Sequence, residues 1–304
     1  MTRKTQVTVV GLGPMGATMA ETFLKAGYTV TVWNRTASKA GPLVDQGAAL
    51  AVSPAEALEA SELIVLSQLD YQAMYDSLGG ATGALKGRVL VNLSSDTPER
   101  LRAASTWAAG HGADLITAGI MTPPPGIGQP GAYTFYSGSE AVLEKHRETL
   151  AALSDVTYVG ADHGLAMLYY TAQLGIFWGT LTGYMHALAL VGSAGITPEA
   201  FRPYGTETIG GVAGDGPMGY VRILTEEIAR GDYPGGENSL HMQAVSADHL
   251  VEASRAAGLD TTYVDAVKDL FWKAVGQGHG TDGLASVIEA IKSGPAPRES
   301  TPAK

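Results

Sequence analysis

Hydrophobic positions follow two rhythms along the chain. Over residues 6–160, short apolar runs at 7–10, 29–33, 63–66, 89–93 and 115–117 alternate with stretches of helical spacing at 15–26, 53–60 and 98–110. Short apolar runs suit strands buried on both faces, and their alternation with helices predicts a parallel, doubly wound sheet. Ser53-Pro54 and Thr97-Pro98 each place a capping hydroxyl before a proline, which is a helix-start signal. Residues 132–137 alternate and predict an added edge strand, reached through a Pro- and Gly-rich loop over 123–131.

The rhythm changes after Gly160. From Leu165 to Val191 there is no Asp, Glu, Lys or Arg. A run of that length is long enough to cross a bilayer. Its Gln173, His186 and interspersed Thr and Tyr, with no nearby Lys/Arg flank, favour a long helix buried between domains or subunits. Gly175, Gly179 and Gly183 share one face and predict close packing against another helix. Helical patterns follow at 218–230, 237–257, 262–275 and 283–292, whereas the glycine-rich stretch 205–219 predicts a loop or kinked connection. Residues 293–304, rich in Pro, Ser and charge, predict a disordered tail.

Composition narrows the chemistry. A hydrophobic fraction of 45% over 304 residues supports a full core in two ordinary domains. The balance of 20 Lys+Arg against 30 Asp+Glu argues against a nucleic-acid partner, which needs a basic face. With no cysteine there is no disulfide, thiolate metal site or thiol nucleophile. His111, His163, His186 and His249 show no metal-ligand spacing, so no metal is expected. No signal-like stretch precedes the strand at 7–10, and a cytoplasmic location is expected.

The strongest motif is Gly11-Leu12-Gly13-Pro14-Met15-Gly16, placed where a strand passes into a helix. That context defines a dinucleotide fingerprint: one glycine for the tight turn, one for pyrophosphate approach, one for helix–strand packing. The second strand ends in Asn34-Arg35-Thr36, with Lys39 beyond, where an NAD site would carry an acid. Arg35 and Lys39 can pair with a 2′-phosphate, while Asn34 and Thr36 can hydrogen-bond it, which predicts NADPH. Other strand ends, Ser67-Gln68-Leu69 and Asn92 with Ser94 and Ser95, should line the same crevice. Ser95, Asp96 or Thr97 can equally serve as the cap of the helix that follows.

The stretch VTVVGLGPMGATMAETFLKAGYTVTVWNRT closely resembles the N-terminal motif of the β-hydroxyacid dehydrogenase superfamily. That superfamily carries a catalytic Lys on its long helix, in Lys-x-x-Asn-Asn, and a Ser-Gly-Gly substrate motif. Neither occurs here: Thr117–Gly128 replaces the second, and no Lys lies between Lys145 and Lys268. The segments Asn-Leu-Ser-Ser-Asp-Thr-Pro, Met-Thr-Pro-Pro-Pro-Gly-Ile-Gly and Leu-Tyr-Tyr-Thr-Ala-Gln-Leu are instead similar to those of the imine reductases, in which Asp or Tyr stands in the Lys position.

This resemblance implies an α/β fold with a Rossmann domain over 1–160, a long interdomain helix over 161–193 and an all-helical dimerisation domain over 194–292. It implies an NADPH-dependent reductase of small cyclic imines, working as an intertwined homodimer. The Tyr type is associated with S-selective reduction of 2-substituted rings.

Reducing C=N takes a hydride at carbon and a proton at nitrogen. A tyrosine hydroxyl, with an ordinary pKa of roughly 10, holds its proton at neutral pH and can donate a hydrogen bond. Tyr169 is the residue the resemblance selects; Tyr170, about 100° round the helix, is the alternative. A substrate that arrives already protonated is another route. Met121, Ile127, Phe177 and Trp178 can form an apolar wall, and His241 and Met242 can close the pocket from a second subunit. A β-hydroxyacid or semialdehyde dehydrogenase and a catalytically silent NADP-binding protein are the other readings.

Overall fold

The computed structural model describes residues 5–294. The chain divides into two compact units, the first running through Gly175 and the second starting at Ile176.

The first unit opens with β1 (Gln6–Val10), α1 (Pro14–Lys25), β2 (Thr29–Trp33), α2 (Gly41–Val44), β3 (Ala49–Leu50), α3 (Pro54–Glu59), β4 (Leu63–Leu66) and α4 (Tyr71–Leu78). It continues with β5 (Val89–Asn92), α5 (Pro98–Gly110), β6 (Asp114–Ile120), β7 (Tyr133–Ser137), α6 (Glu140–Leu150), β8 (Asp155–Gly160) and the first turns of α7 (Leu165–Gly192). The strands form one sheet in the order β3-β2-β1-β4-β5-β6-β7-β8. Pairing is parallel except between β6 and β7. Strands β4 and β5 are buried along their whole length, as apolar runs covered on both faces must be.

Ser53 and Thr97 cap α3 and α5 by accepting the backbone N–H groups of Glu56 and Arg100. Two corrections concern the sheet. The strand expected at the edge, β7, lies inside, because β8 pairs with it in parallel. The sheet, expected to be parallel, is mixed, because β7 runs antiparallel to β6. Helices α4 and α6 lie outside the helical stretches read from the sequence, although each has an apolar face, with Tyr71, Met74 and Leu78 buried on α4 and Leu143 and Leu150 on α6.

The second unit holds the rest of α7, then α8 (Pro198–Ala213), α9 (Tyr220–Arg230), α10 (Leu240–Ala256), α11 (Thr262–Ala274) and α12 (Val287–Lys292). Residues 205–213, expected as a loop, are helical. Gly205 lets the Tyr184 ring lie against α8, where a Cβ would come within 2.5 Å of it, so packing overrides weak propensity. Gly183 serves similarly on α7: a Cβ there would lie 3.1 Å from the Tyr263 hydroxyl, which donates to the Gly179 carbonyl at 3.4 Å.

Helix α7 is long and apolar enough to cross a bilayer, with a mean hydropathy of 1.3. Beyond Gly175 its own chain leaves Ile176, Phe177, Trp178 and Met185 exposed, so the burial expected between domains or subunits does not come from this chain alone. Of the expected tail, residues 295–304 lie outside the described residues.

Candidate active site

Where β1 meets α1, each glycine of the fingerprint has its own task. Gly11 has φ +93°, and a Cβ on it would lie 2.2 Å from the Ser67 carbonyl oxygen. At Gly16 a Cβ would lie 1.9 Å from the Gly11 carbonyl oxygen. At Gly13 nothing lies within 4 Å. Gly13 is also the N-cap of α1, with no side-chain cap and no acid in the first turn. The free N–H groups of α1 therefore face open space, the arrangement that receives a pyrophosphate.

Asn34 works as a clamp. Its Oδ1 accepts the Leu12 N–H at 2.9 Å, and its Nδ2 donates to the Thr36 carbonyl at 3.0 Å. The glycine loop and the turn bearing Arg35 and Thr36 are thereby tied together. A cleft of about 840 Å³ runs along this edge of the sheet, lined by Gly11, Leu12, Gly13, Pro14 and Met15 on one side and by Asn34, Arg35, Thr36 and Lys39 on another. Asp76 on α4 is the one carboxylate among its lining residues.

Ser67, Gln68, Leu69 and Ser95 line the cleft from the next two strand ends. Asn92 and Ser94 lie behind its surface. Asn92 is fully buried, accepting the Ser94 N–H at 2.9 Å and donating to Met74 Sδ at 3.4 Å. Ser94 in turn accepts the Gln68 N–H at 3.0 Å through its Oγ. These two residues hold the wall without forming it. Asp96 stitches the same two loops, accepting the Tyr71 N–H at 3.3 Å and the Thr97 N–H at 2.8 Å. Burial, reinforced by the Asp96 charge, pushes the Tyr71 and Tyr75 hydroxyls above their ordinary pKa, so both stay neutral.

The far end of the cleft lies between β6 and the start of α7. Ala118, Gly119 and Ile120 face Met167 and Tyr170 there. Gly119 makes the approach possible, because a Cβ at that position would come 2.7 Å from Tyr170 Cβ. Tyr169 sits outside this cleft. It is 47% exposed, with its ring centroid 5.1 Å from that of Phe135 on β7. Met121 is half-buried beside the lining residue Thr122, and its N–H donates to the Tyr133 carbonyl at 2.9 Å.

Ile127 belongs to the core and forms no substrate wall. Phe177 and Trp178 are exposed on the second unit's part of α7. His241 packs edge-on against Trp272 at 5.5 Å, and Met242 beside it is exposed. Among the described residues no cluster of His, Asp and Glu is placed to hold a metal. Sequence reasoning missed Trp33, Ser77, Gly119, Thr122 and Met167 as lining residues. An isolated glycine within an apolar strand was the one available signal, at Gly119.

A Rossmann unit with this cleft, followed by a long helix and a helical unit, defines a nicotinamide-dinucleotide oxidoreductase. Residues 6–160 match the NAD-binding domain of 6-phosphogluconate dehydrogenase, and residues 162–293 match the C-terminal domain of NADPH-dependent reductive aminase-like proteins. An NADPH-dependent reductive aminase of Aspergillus oryzae is 34% identical, over 95% of this chain and 97% of its own. An imine reductase from Bacillus cereus has a TM-score of 0.89 at 44% identity, covering 96% of this chain and 100% of that one. A reductive aminase from Aspergillus terreus, solved with NADPH and ethyl-5-oxohexanoate, has a TM-score of 0.88 at 36% identity, covering 95% and 99%. The chain belongs to the family of NADPH-dependent imine reductases and reductive aminases. NADPH is its cofactor, and the open space at Gly13 and the two cations at the end of β2 fit its phosphates.

Proposed function

We propose that this enzyme reduces the C=N bond of small imines, cyclic ones and those formed from a ketone and an amine. NADPH, when bound, supplies the hydride. The glycine loop and the Asn34 clamp hold the phosphate end, and Arg35 and Lys39 take the 2′-phosphate. Tyr170 and Met167 line the far end of the cleft; Tyr169, on the neighbouring face of α7 and selected by the family resemblance, donates a hydrogen bond and assists protonation at nitrogen, with Tyr170 as the alternative. S-selective reduction of 2-substituted rings is the stereochemical part of this reading.

The observation that carries it is the chemistry of the first turns of α7. They offer two phenols and no ammonium or carboxylate, which suits a cationic iminium better than a carbonyl needing a Lys acid.

The exposed apolar residues beyond Gly175 support a homodimer in which a second copy covers them and presents residues such as His241 and Met242. On this reading α7 is covered by protein and not lipid, and the enzyme is cytoplasmic.

The test is NADPH oxidation with 2-methyl-1-pyrroline beside a β-semialdehyde acid. Turnover of the pyrroline alone is expected. Turnover of the semialdehyde alone would establish a Lys-free hydroxyacid dehydrogenase, and stoichiometric NADPH binding without turnover would establish a silent binding protein.

A further inference from the structure

Strand β7 supports α7 at two successive points. Tyr133 and Phe135, two residues apart, share one face of the strand. Tyr169 and Gln173, four apart, share one face of the helix. Phe135 lies against the Tyr169 ring at 5.1 Å, and the Tyr133 hydroxyl donates to Gln173 Oε1 at 2.6 Å. The Tyr133 and Phe135 rings meet edge-on at 5.4 Å, which joins the two supports. The Tyr133 carbonyl also accepts the Met121 N–H, beside the cleft residue Thr122.

The hydrogen bond decides which way the Gln173 amide presents itself. Its oxygen is taken by Tyr133. Its NH₂ has no partner among the described residues, and the side chain is only half-buried. An amide so held keeps both N–H groups free to donate. It suits an acceptor elsewhere on the substrate. One helical turn, about 6 Å, separates it from Tyr169.

Resting on the imine-reductase reading, we propose that Gln173 is a specificity residue for imines bearing a carbonyl acceptor a few bonds from C=N, and that Tyr133 is a positioning residue acting through it. A keto ester condensed with an amine belongs to that class, because its ester oxygen reaches the Gln173 amide while its C=N lies by Tyr169.

The experiment measures kcat/KM with methylamine for ethyl 4-oxopentanoate and for 2-octanone, which has the same chain length but lacks the ester oxygens. The readout is the ratio of the two, in wild type, Gln173→Met, Tyr133→Phe and the double variant. Gln173→Met keeps the length and bulk of the side chain, and the ratio cancels any general loss of active enzyme. The ratio should fall about 3- to 10-fold in Gln173→Met, mainly through KM. It should fall less in Tyr133→Phe, and no further in the double variant than in Gln173→Met alone. An unchanged ratio in Gln173→Met, or additive losses in the double variant, would overturn the proposal while leaving imine reduction standing. A wild type inactive on both substrates would overturn imine reduction and this proposal with it.

Discussion

A methyl group added at Gly11, Gly13 or Gly16 would meet one of two surroundings. At Gly16 it would strike a backbone carbonyl, and at Gly13 it would enter empty space. Gly16→Ala should therefore cost stability, about 1–3 kcal/mol, readable in urea unfolding. Gly13→Ala should leave unfolding nearly unchanged and weaken NADPH binding roughly tenfold in a fluorescence titration. Arg35→Ala should weaken NADPH by about 10- to 100-fold and NADH hardly at all, because only NADPH carries the 2′-phosphate. Equal losses would remove Arg35 from phosphate recognition. Tyr169→Phe should lower kcat on 2-methyl-1-pyrroline by at least about tenfold with NADPH affinity retained. Unaltered kcat would shift attention to Tyr170. At this scale the glycines and the Arg35 turn were legible because their chemistry is local. The retreat of Asn92 and Ser94 behind the wall was not, because it depends on which side of a strand end meets Met74 and Gln68.

Between elements, one ion pair ties α5 to the turn that launches α7. Arg102 Nε and Nη2 donate to the two Asp162 oxygens at 2.8 and 2.9 Å, and Asp162 Oδ1 also accepts the Gly164 N–H at 2.9 Å. The Arg102 hydrogen bonds, helped by Gly164, hold the Asp162 carboxyl down to about 2. A depressed acid stabilises the fold above its unfolded pKa, roughly 3.9, and loses that contribution as pH falls through its folded value. Arg102→Leu should thus lower the thermal midpoint at pH 7, with the gap to wild type closing as pH falls from 4 towards 2. A gap independent of pH would mean that packing, not charge, is what the substitution removes. Apolar period located β1, β2, β4 and β5 within a residue or so. It passed over β8, although Val156-Thr157-Tyr158-Val159 are strand formers, and could not carry α8 through Gly205, where a tyrosine ring packed from α7 makes the difference.

For the molecule as a whole, the order of a nucleotide-binding part followed by a helical part was readable from the change in rhythm, while the compact units divide at Gly175, inside α7, where the apolar run has no break. What covers the apolar residues of α7 was not, because a sequence run does not say whether lipid, its own chain or another copy is the neighbour. If a second copy is, the thermal midpoint should rise with protein concentration. Trp178→Asp should give a monomer in sedimentation with a concentration-independent midpoint. Wild type sedimenting as a monomer at micromolar concentration would refute the dimer.

The boundary between the two compact units lies inside a helix, where no flexible linker offers itself for cutting. A fragment ended at residue 160, where the apolar rhythm breaks, would lose Met167 and Tyr170 and leave the strand beside Gly119 bare. A fragment carried to Gly175 keeps that cover but severs a continuous hydrogen-bonded rod. Dissecting this protein into working halves therefore means choosing between an incomplete nucleotide trough and a frayed helix end, which makes the undivided chain its smallest dependable reagent.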